Sequence, residues 1–131
     1  MTPDIGIGSL IAAGTLAFNV YNSCRAASDI FKHISSEVWS LHAVLKEAEE
    51  TIFVQPLSPD RQQRLKVIGD GCYCVLKDLK ERLEKYPSLG TGKKLTLDRM
   101  RWCGEETAMI RARLTSNVML LIAWVRCDAP L

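Results

Sequence analysis

Ile34-Ser35-Ser36-Glu37-Val38-Trp39-Ser40-Leu41-His42-Ala43-Val44-Leu45-Lys46-Glu47-Ala48-Glu49-Glu50-Thr51-Ile52 carries its apolar residues at helical rather than strand spacing. With Ile30 upstream, the series Ile30, Ile34, Val38, Leu41, Leu45, Ala48, Ile52 advances in steps of four, four, three, four, three and four. Lys32, Glu37, Lys46, Glu47 and Glu50 fall off that line. The pattern predicts one helix over about 27–53 with a single stripe facing a core.

On the C-terminal side, Gln55-Pro56-Leu57-Ser58-Pro59 ends this helix, and Ser58-Pro59-Asp60 starts the next one with an N-cap hydroxyl, a proline first position and an acid in the first turn. Leu65, Ile68, Cys72, Val75, Leu79, Leu83 and Tyr86 continue a helical stripe as far as Pro87, with Gly69 and Gly71 weakening its first half. A Gly/Lys/Ser loop follows over Pro87–Thr96, then a short helical turn over Leu97–Trp102. A last helix is predicted over about Glu105–Arg126, acidic where it opens and basic where it ends, as the helix dipole favours. Its stripe is Ile110, Leu114, Val118, Leu121 and Val125, but Val118–Val125 is apolar on every side. That end is either central to the core or covered by something outside the chain.

On the N-terminal side, Asp4–Cys24 reads as a first helix, with Thr2 or Asp4 near its start. No segment alternates like a strand, so the fold class is all-α: an antiparallel bundle of four long helices, with an extra helical turn before the last. The partners expected for the first helix are the stripes of the second and fourth, including Ile34, Leu41, Leu45, Leu114, Val118 and Leu121. With 131 residues, 47% of them hydrophobic, the chain forms one domain, residues 1–131, which reads as the N-terminal domain of a longer protein.

Charge and cysteine usage exclude several function classes. A net charge of +2 is too small to mark a nucleic-acid binder, and none is expected as a partner. Five irregularly spaced Cys without a basic n-region ahead of the apolar start point to reduced thiols in a cytoplasmic protein. His33 and His42, nine positions apart, face opposite ways on a helix, and Cys72-Tyr73-Cys74 lacks the spacing of a zinc or redox pair. No nucleophile elbow or phosphate loop is present. The chain reads as no enzyme, without catalytic residues, metal or cofactor.

Two features carry functional meaning. Ile5–Cys24 is twenty residues without a charge, a helix of about 30 Å, the thickness of a bilayer's hydrocarbon core. Gly8 with Ala12, and Ser9 with Ala13 and Ala17, set small residues four apart, which suits close helix approach in lipid. The same residues suit a tight soluble bundle, and Ser9, Thr15, Asn19, Asn22 and Ser23 dilute the apolar character. Secondly, Arg61–Arg101 holds eleven Lys and Arg against five acids, whereas Asp29–Glu50 holds two Lys against five acids. That basic surface either attracts anionic lipid, with Lys77, Lys80, Lys85, Lys93 and Lys94 as candidates, or is a solvated face partly paired with the acidic helix.

The Gly/Ala-rich first helix ending in Val20-Tyr21, then Glu37-Val38-Trp39-Ser40-Leu41-His42-Ala43-Val44-Leu45, then Leu76-Lys77-Asp78-Leu79-Lys80-Glu81-Arg82-Leu83, and Arg101-Trp102 before the final helix together resemble the HeLo-like N-terminal domains of fungal STAND (NLR-like) and cell-death proteins. The resemblance covers nearly the whole chain and rests on helix lengths and apolar signatures. It implies programmed cell death of the heterokaryon-incompatibility and innate-immunity type. A bundle held inactive by a C-terminal amyloid or NLR module becomes a homo-oligomer and moves to the plasma membrane. There its N-terminal helix permeabilises anionic lipid, the membrane-active residues being Ile5, Gly8, Ser9, Ala12, Ala13, Leu16, Ala17 and Val20. The alternative is an adaptor or oligomerisation module of an NLR-like signalling protein that never enters lipid.

Overall fold

The computed structural model describes residues 7–25, 29–54, 56–85 and 104–126, which form four helices: α1 (Ile7–Arg25), α2 (Asp29–Val54), α3 (Pro59–Lys85) and α4 (Gly104–Arg126). No strand occurs among the described residues. The chain is an all-α four-helix bundle. The expected Pro87–Thr96 loop, the Leu97–Trp102 turn and the caps at Thr2 or Asp4 lie outside the described residues, as do the Ile30 and Tyr86 side chains.

The start of α3 follows its sequence signal. Ser58 Oγ accepts the Arg61 backbone N–H at 3.2 Å, and the Ser58 carbonyl accepts that of Gln62 at 3.0 Å, so the first turn closes on its cap. Gln62 Nε2 donates to the Leu57 carbonyl at 3.1 Å and ties the incoming chain to the same turn.

Each helix packs on two neighbours: α1 on α2 and α3, and α4 on the same two. Facing residues give the directions. Phe18 meets His42 and Tyr21 meets Trp39, so α1 and α2 are antiparallel. Ser9 meets Asp70, while Asn19 and Ser23 lie beside Lys80 and Glu84, so α1 and α3 run the same way. Arg61 meets Trp124 and Asp78 meets Arg113, so α3 and α4 are antiparallel. The helices therefore alternate up and down, with α2 and α3 on one diagonal and α1 and α4 on the other. This corrects the expected partners of the first helix: α1 sits on α2 and α3, not on α4. An apolar stripe fixes which side of a helix is buried but not which neighbour covers it.

The stripes meet at the centre. Ile34, Val38, Leu41, Leu45 and Ala48 of α2 are fully buried, with Leu65, Cys72, Val75, Leu76 and Leu79 of α3 and Ile110, Leu114 and Leu121 of α4. Cys72 is buried and Cys74 exposed, as their separation on a helix requires. Burial pushes the Cys72 thiol up to about 12, so it packs as a small apolar group rather than reacting.

The apolar end of α4 is not central to the core. Leu121 and Trp124 point inward, whereas Met119 is 65% and Leu120 50% exposed. Deleting a buried Leu side chain costs about 2–5 kcal/mol, and changes at unpartnered surface positions usually stay within about 0.5 kcal/mol. Leu114→Ala is therefore expected to lower the urea unfolding midpoint strongly, while Leu120→Ala leaves it nearly unchanged.

Candidate functional site: the seams of the first helix

Leu10, Ala13, Ala17, Val20 and Cys24 recur at steps of three and four along α1, and all are at most 1% exposed. Of the residues singled out by sequence, Ala13, Ala17 and Val20 thus line the bundle, Leu16 packs partly buried against it, and Ser9 is half-buried. Gly8 and Ala12 face solvent, and Ile5 lies outside the described residues. The two small-residue faces read from the sequence therefore have different roles: one is packed and the other is free.

The α1–α3 seam is close at Gly69. A Cβ on Gly69 would lie 3.4 Å from Ser9 Cβ and 3.5 Å from the Leu10 backbone nitrogen. Beside it, the Ser9 hydroxyl donates to Asp70 Oδ1 at 2.7 Å, while Lys66 Nζ holds Asp70 Oδ2 at 2.9 Å. Those hydrogen bonds, Lys66 first and Ser9 second, hold the Asp70 carboxyl below the usual carboxylate range.

The α1–α2 seam is aromatic. Tyr21 and Trp39 lie 4.7 Å apart, Trp39 stacks on His42 at 5.0 Å, and His42 reaches Phe18 at 5.7 Å. Arg25 stands over Tyr21 at 5.7 Å and ends the ladder. An open cleft of about 350 Å³, lined by Ile11, Gly14, Thr15, Phe18 and His42, continues the seam toward Lys46 and Glu49. His42 Nδ1 is buried there without a hydrogen-bond partner. Burial, reinforced by the Lys46 charge, holds the imidazole below its ordinary range. From sequence His42 stands out only as facing away from His33 and as part of the Glu37–Leu45 stretch, without a role of its own. The usable signal was the spacing of three in both Phe18/Tyr21 and Trp39/His42, which places each pair on one helix face.

No charge on α1 before Arg25 is available for an ion pair, and its polar tie across a seam among the described residues is Ser9–Asp70. The other seams are ionic. Arg111 grips Glu37 with Nε at 3.0 Å and Nη2 at 3.2 Å, joining α4 to α2. Arg113 donates to Asp78 at 2.7 Å and joins α4 to α3. Burial works to raise the Asp78 carboxyl, but Arg113 and Arg82 outweigh it and hold the group below the usual range.

Of the basic candidates, Lys77 and Lys80 stand exposed on α3, with Lys80 4.0 Å from Glu84. The side chain of Lys85, and Lys93 and Lys94 entirely, lie outside the described residues. Much of the remaining basic charge on α3 pairs along its own helix, Arg64 with Asp60, Lys66 with Asp70 and Arg82 with Asp78, rather than with the acidic α2.

Among the described residues, the helix long and apolar enough to cross a membrane is Thr107–Arg126, only 22% of it buried. α1 falls short by that measure, its polar positions Ser9, Thr15, Asn19, Asn22 and Ser23 diluting it.

Both seams of α1 weaken in acid. The folded pKa of His42 is depressed, so its contribution is complete above about pH 6.5 and is lost as pH falls below that. Asp70 is also depressed, so its contribution is complete above about pH 3.9 and is lost only below it. Amide protection of residues 7–25, corrected for intrinsic exchange, is expected to drop relative to α4 between pH 7 and pH 5. His42→Gln removes this pH dependence and Asp70→Asn leaves it in place, as hydrogen-exchange mass spectrometry will read. No family model, curated protein or solved structure matches the chain.

Proposed function

We propose that this bundle is a regulated cell-death effector domain that oligomerises and permeabilises membranes with α1. This is the reading implied by its resemblance to HeLo-like domains. The observation that carries it is the fastening of α1. The helix is uncharged over Ile7–Cys24; among the described residues it is held by apolar and aromatic side chains and by the Ser9–Asp70 hydrogen bond, and it takes no part in the ion pairs that join α4 to α2 and α3. Such a helix leaves the bundle without stranding a charge on either side of the break, and the cost of leaving is the apolar contact area.

In this reading the resting protein is cytoplasmic and a C-terminal regulatory module restrains it. On activation several copies gather at the plasma membrane. The polar positions of α1 then favour insertion as an oligomer with small faces together, over spanning as a lone helix. Lys77 and Lys80 supply the attraction to anionic lipid.

The alternative, a signalling adaptor that oligomerises without entering lipid, draws its support from the exposed apolar side of α4. The two readings separate at the α1–α3 seam. Ser9 Cβ and a Cβ on Gly69 would stand 3.4 Å apart, about 0.1 Å short of the roughly 3.5–4.5 Å that a disulfide spans. The pair Ser9→Cys and Gly69→Cys, oxidised, locks α1 down. Under forced oligomerisation the oxidised protein is expected to leave dye-loaded anionic liposomes intact, and reduction to restore leakage. Undiminished leakage from fully locked protein would remove α1 from the mechanism, and leakage from neither form would favour the adaptor.

Lipid attraction has its own test. With about 1 kcal/mol per basic residue near an anionic surface, Lys77→Glu with Lys80→Glu is expected to weaken vesicle binding at least about tenfold. Vesicle flotation checks this: the loss should appear with phosphatidylserine vesicles, not with neutral ones, and raised salt should reproduce it.

A further inference from the structure

The outward side of α4 has no neighbour among the described helices. Ala108, Ala112, Thr115, Met119, Ala123 and Arg126 run along its centre at steps of four, three, four, four and three, and all are exposed. That spacing is the seam of a helix pair. Met109 and Leu120 flank it, 57% and 50% exposed, and beside it a groove of about 720 Å³ opens between α4 and Glu37 of α2. From Ala108 to Ala123, about 22 Å of helix, the central line carries no charge. The two cations at its edges are already paired within the chain, Arg111 with Glu37 and Arg113 with Asp78.

We propose that this face binds a second copy of the same chain, two α4 helices packing antiparallel about a two-fold axis level with the gap between Thr115 and Met119. Shape and charge both select that partner. In this register Met119 of one copy lies against Thr115 of the other, and Ala123 lies against Ala112, so large residues meet small ones. Arg126 lies against Ala108, about one turn from the Gly104 end of the opposite helix, so a cation comes near a helix N-terminus, whose sequence opens Glu105-Glu106, at both ends. A parallel pair would set Met119 on Met119, Arg126 on Arg126, and like dipole ends together. The uncharged centre matters for the same reason, because a two-fold axis brings any charge lying on it against its own copy.

A strip about 22 Å long and one helix wide is smaller than the roughly 800 Å² per partner of a standard stable interface. The pair is therefore weak, and it forms as local concentration rises. This surface serves the self-association in the function proposed above, yet it stands on geometry independent of lipid. A soluble dimer that never lyses liposomes would retain the surface and overturn the membrane reading. Leakage unaffected by changes on α4 would do the reverse.

The test uses the full chain in sedimentation velocity over a concentration series. Wild type is expected to show a reversible dimer, and Met119→Asp to raise its dissociation constant at least about tenfold. Thr115→Arg is expected to act in the same direction, circular dichroism confirming that both variants stay helical. Arg126→Lys, treated with a zero-length carbodiimide, is expected to give an intermolecular amide between Lys at 126 and Glu105 or Glu106. A chain that stays monomeric at every concentration overturns the proposal, as does a dimer indifferent to both face variants. A monomer whose Met119 resists peroxide would mean that the chain covers its own face, and loss of vesicle binding in Met119→Asp without any self-association would assign the face to lipid. Either result overturns the pairing.

Discussion

Gly69 presents only a hydrogen where α3 meets α1, and the first helix packs there within contact distance, its Ser9 hydroxyl bonded to the neighbouring Asp70. A Cβ at position 69 would stand 3.4 Å from Ser9 Cβ and 3.5 Å from the Leu10 nitrogen, ordinary contact, so a methyl group fits there. Glycine in a helix interior costs roughly 1 kcal/mol relative to alanine. At this spacing α1 seals Leu10 and Ala13 against the core and brings the Ser9 hydroxyl to Asp70. Because α1 and α4 each bridge the α2–α3 diagonal, α1 closes one side of the bundle, and a wider α1–α3 spacing would let water reach stripes on three helices at once.

The two sides of the diagonal are fastened differently. On the α4 side, Arg61 and Trp124 exchange contacts: the Trp124 indole N–H donates to the Arg61 carbonyl at 3.1 Å, Arg61 Nη2 donates to the Trp124 carbonyl at 3.1 Å, and the guanidinium lies over the indole at 4.2 Å. With Asp78–Arg113 and Glu37–Arg111, this fixes the register of α4 at several points along its length. Individually such part-exposed pairs contribute about 0.2–1 kcal/mol, so their effect is on alignment more than on stability. On the α1 side alignment comes from the close approach at Gly69, the aromatic ladder and the Ser9–Asp70 hydrogen bond, with no ion pair among the described residues. Separating α1 therefore costs mainly packed apolar area, whereas separating α4 also breaks ion pairs.

Much of this fold is legible in residue spacing, and the illegible part has one physical origin. Ile34 to Ala48 reads as a buried stripe because 3.6 residues per turn maps spacing onto a face, and Ser58-Pro59-Asp60 reads as a helix start because the capping chemistry is local. Which face meets which is a property of pairs of helices. The expectation that α1 rests on α2 and α4 failed there: nothing in the α3 or α4 stripe alone says which of the two helices closes on α1. The same holds at the candidate site. The small residues of α1 were visible, but the division into packed Ala13 and Ala17 and solvent-facing Gly8 and Ala12 required α3 in place. The His42 environment arises from Phe18, twenty-four residues away and on another helix, and the apolar end of α4 divides into a buried Leu121/Trp124 side and an open Met119/Leu120 side only once both its neighbours are placed.

The diagonal placement of α1 and α4 has a consequence for how the two can act. Had α1 lain against α4, moving it would have stripped a seam from the helix that carries the exposed face. As arranged, none of the contacts that hold α4 involves α1: Glu37–Arg111 joins it to α2, and Asp78–Arg113 with the Arg61–Trp124 contacts joins it to α3. The open side of α4 points away from the core that α1 covers, so its geometry is set by contacts in which α1 takes no part. Displacement of one helix and association through the opposite one are then physically separable events on a single small bundle. They couple only through concentration, since gathering copies on a surface raises the population of weak pairs whether or not α1 has moved.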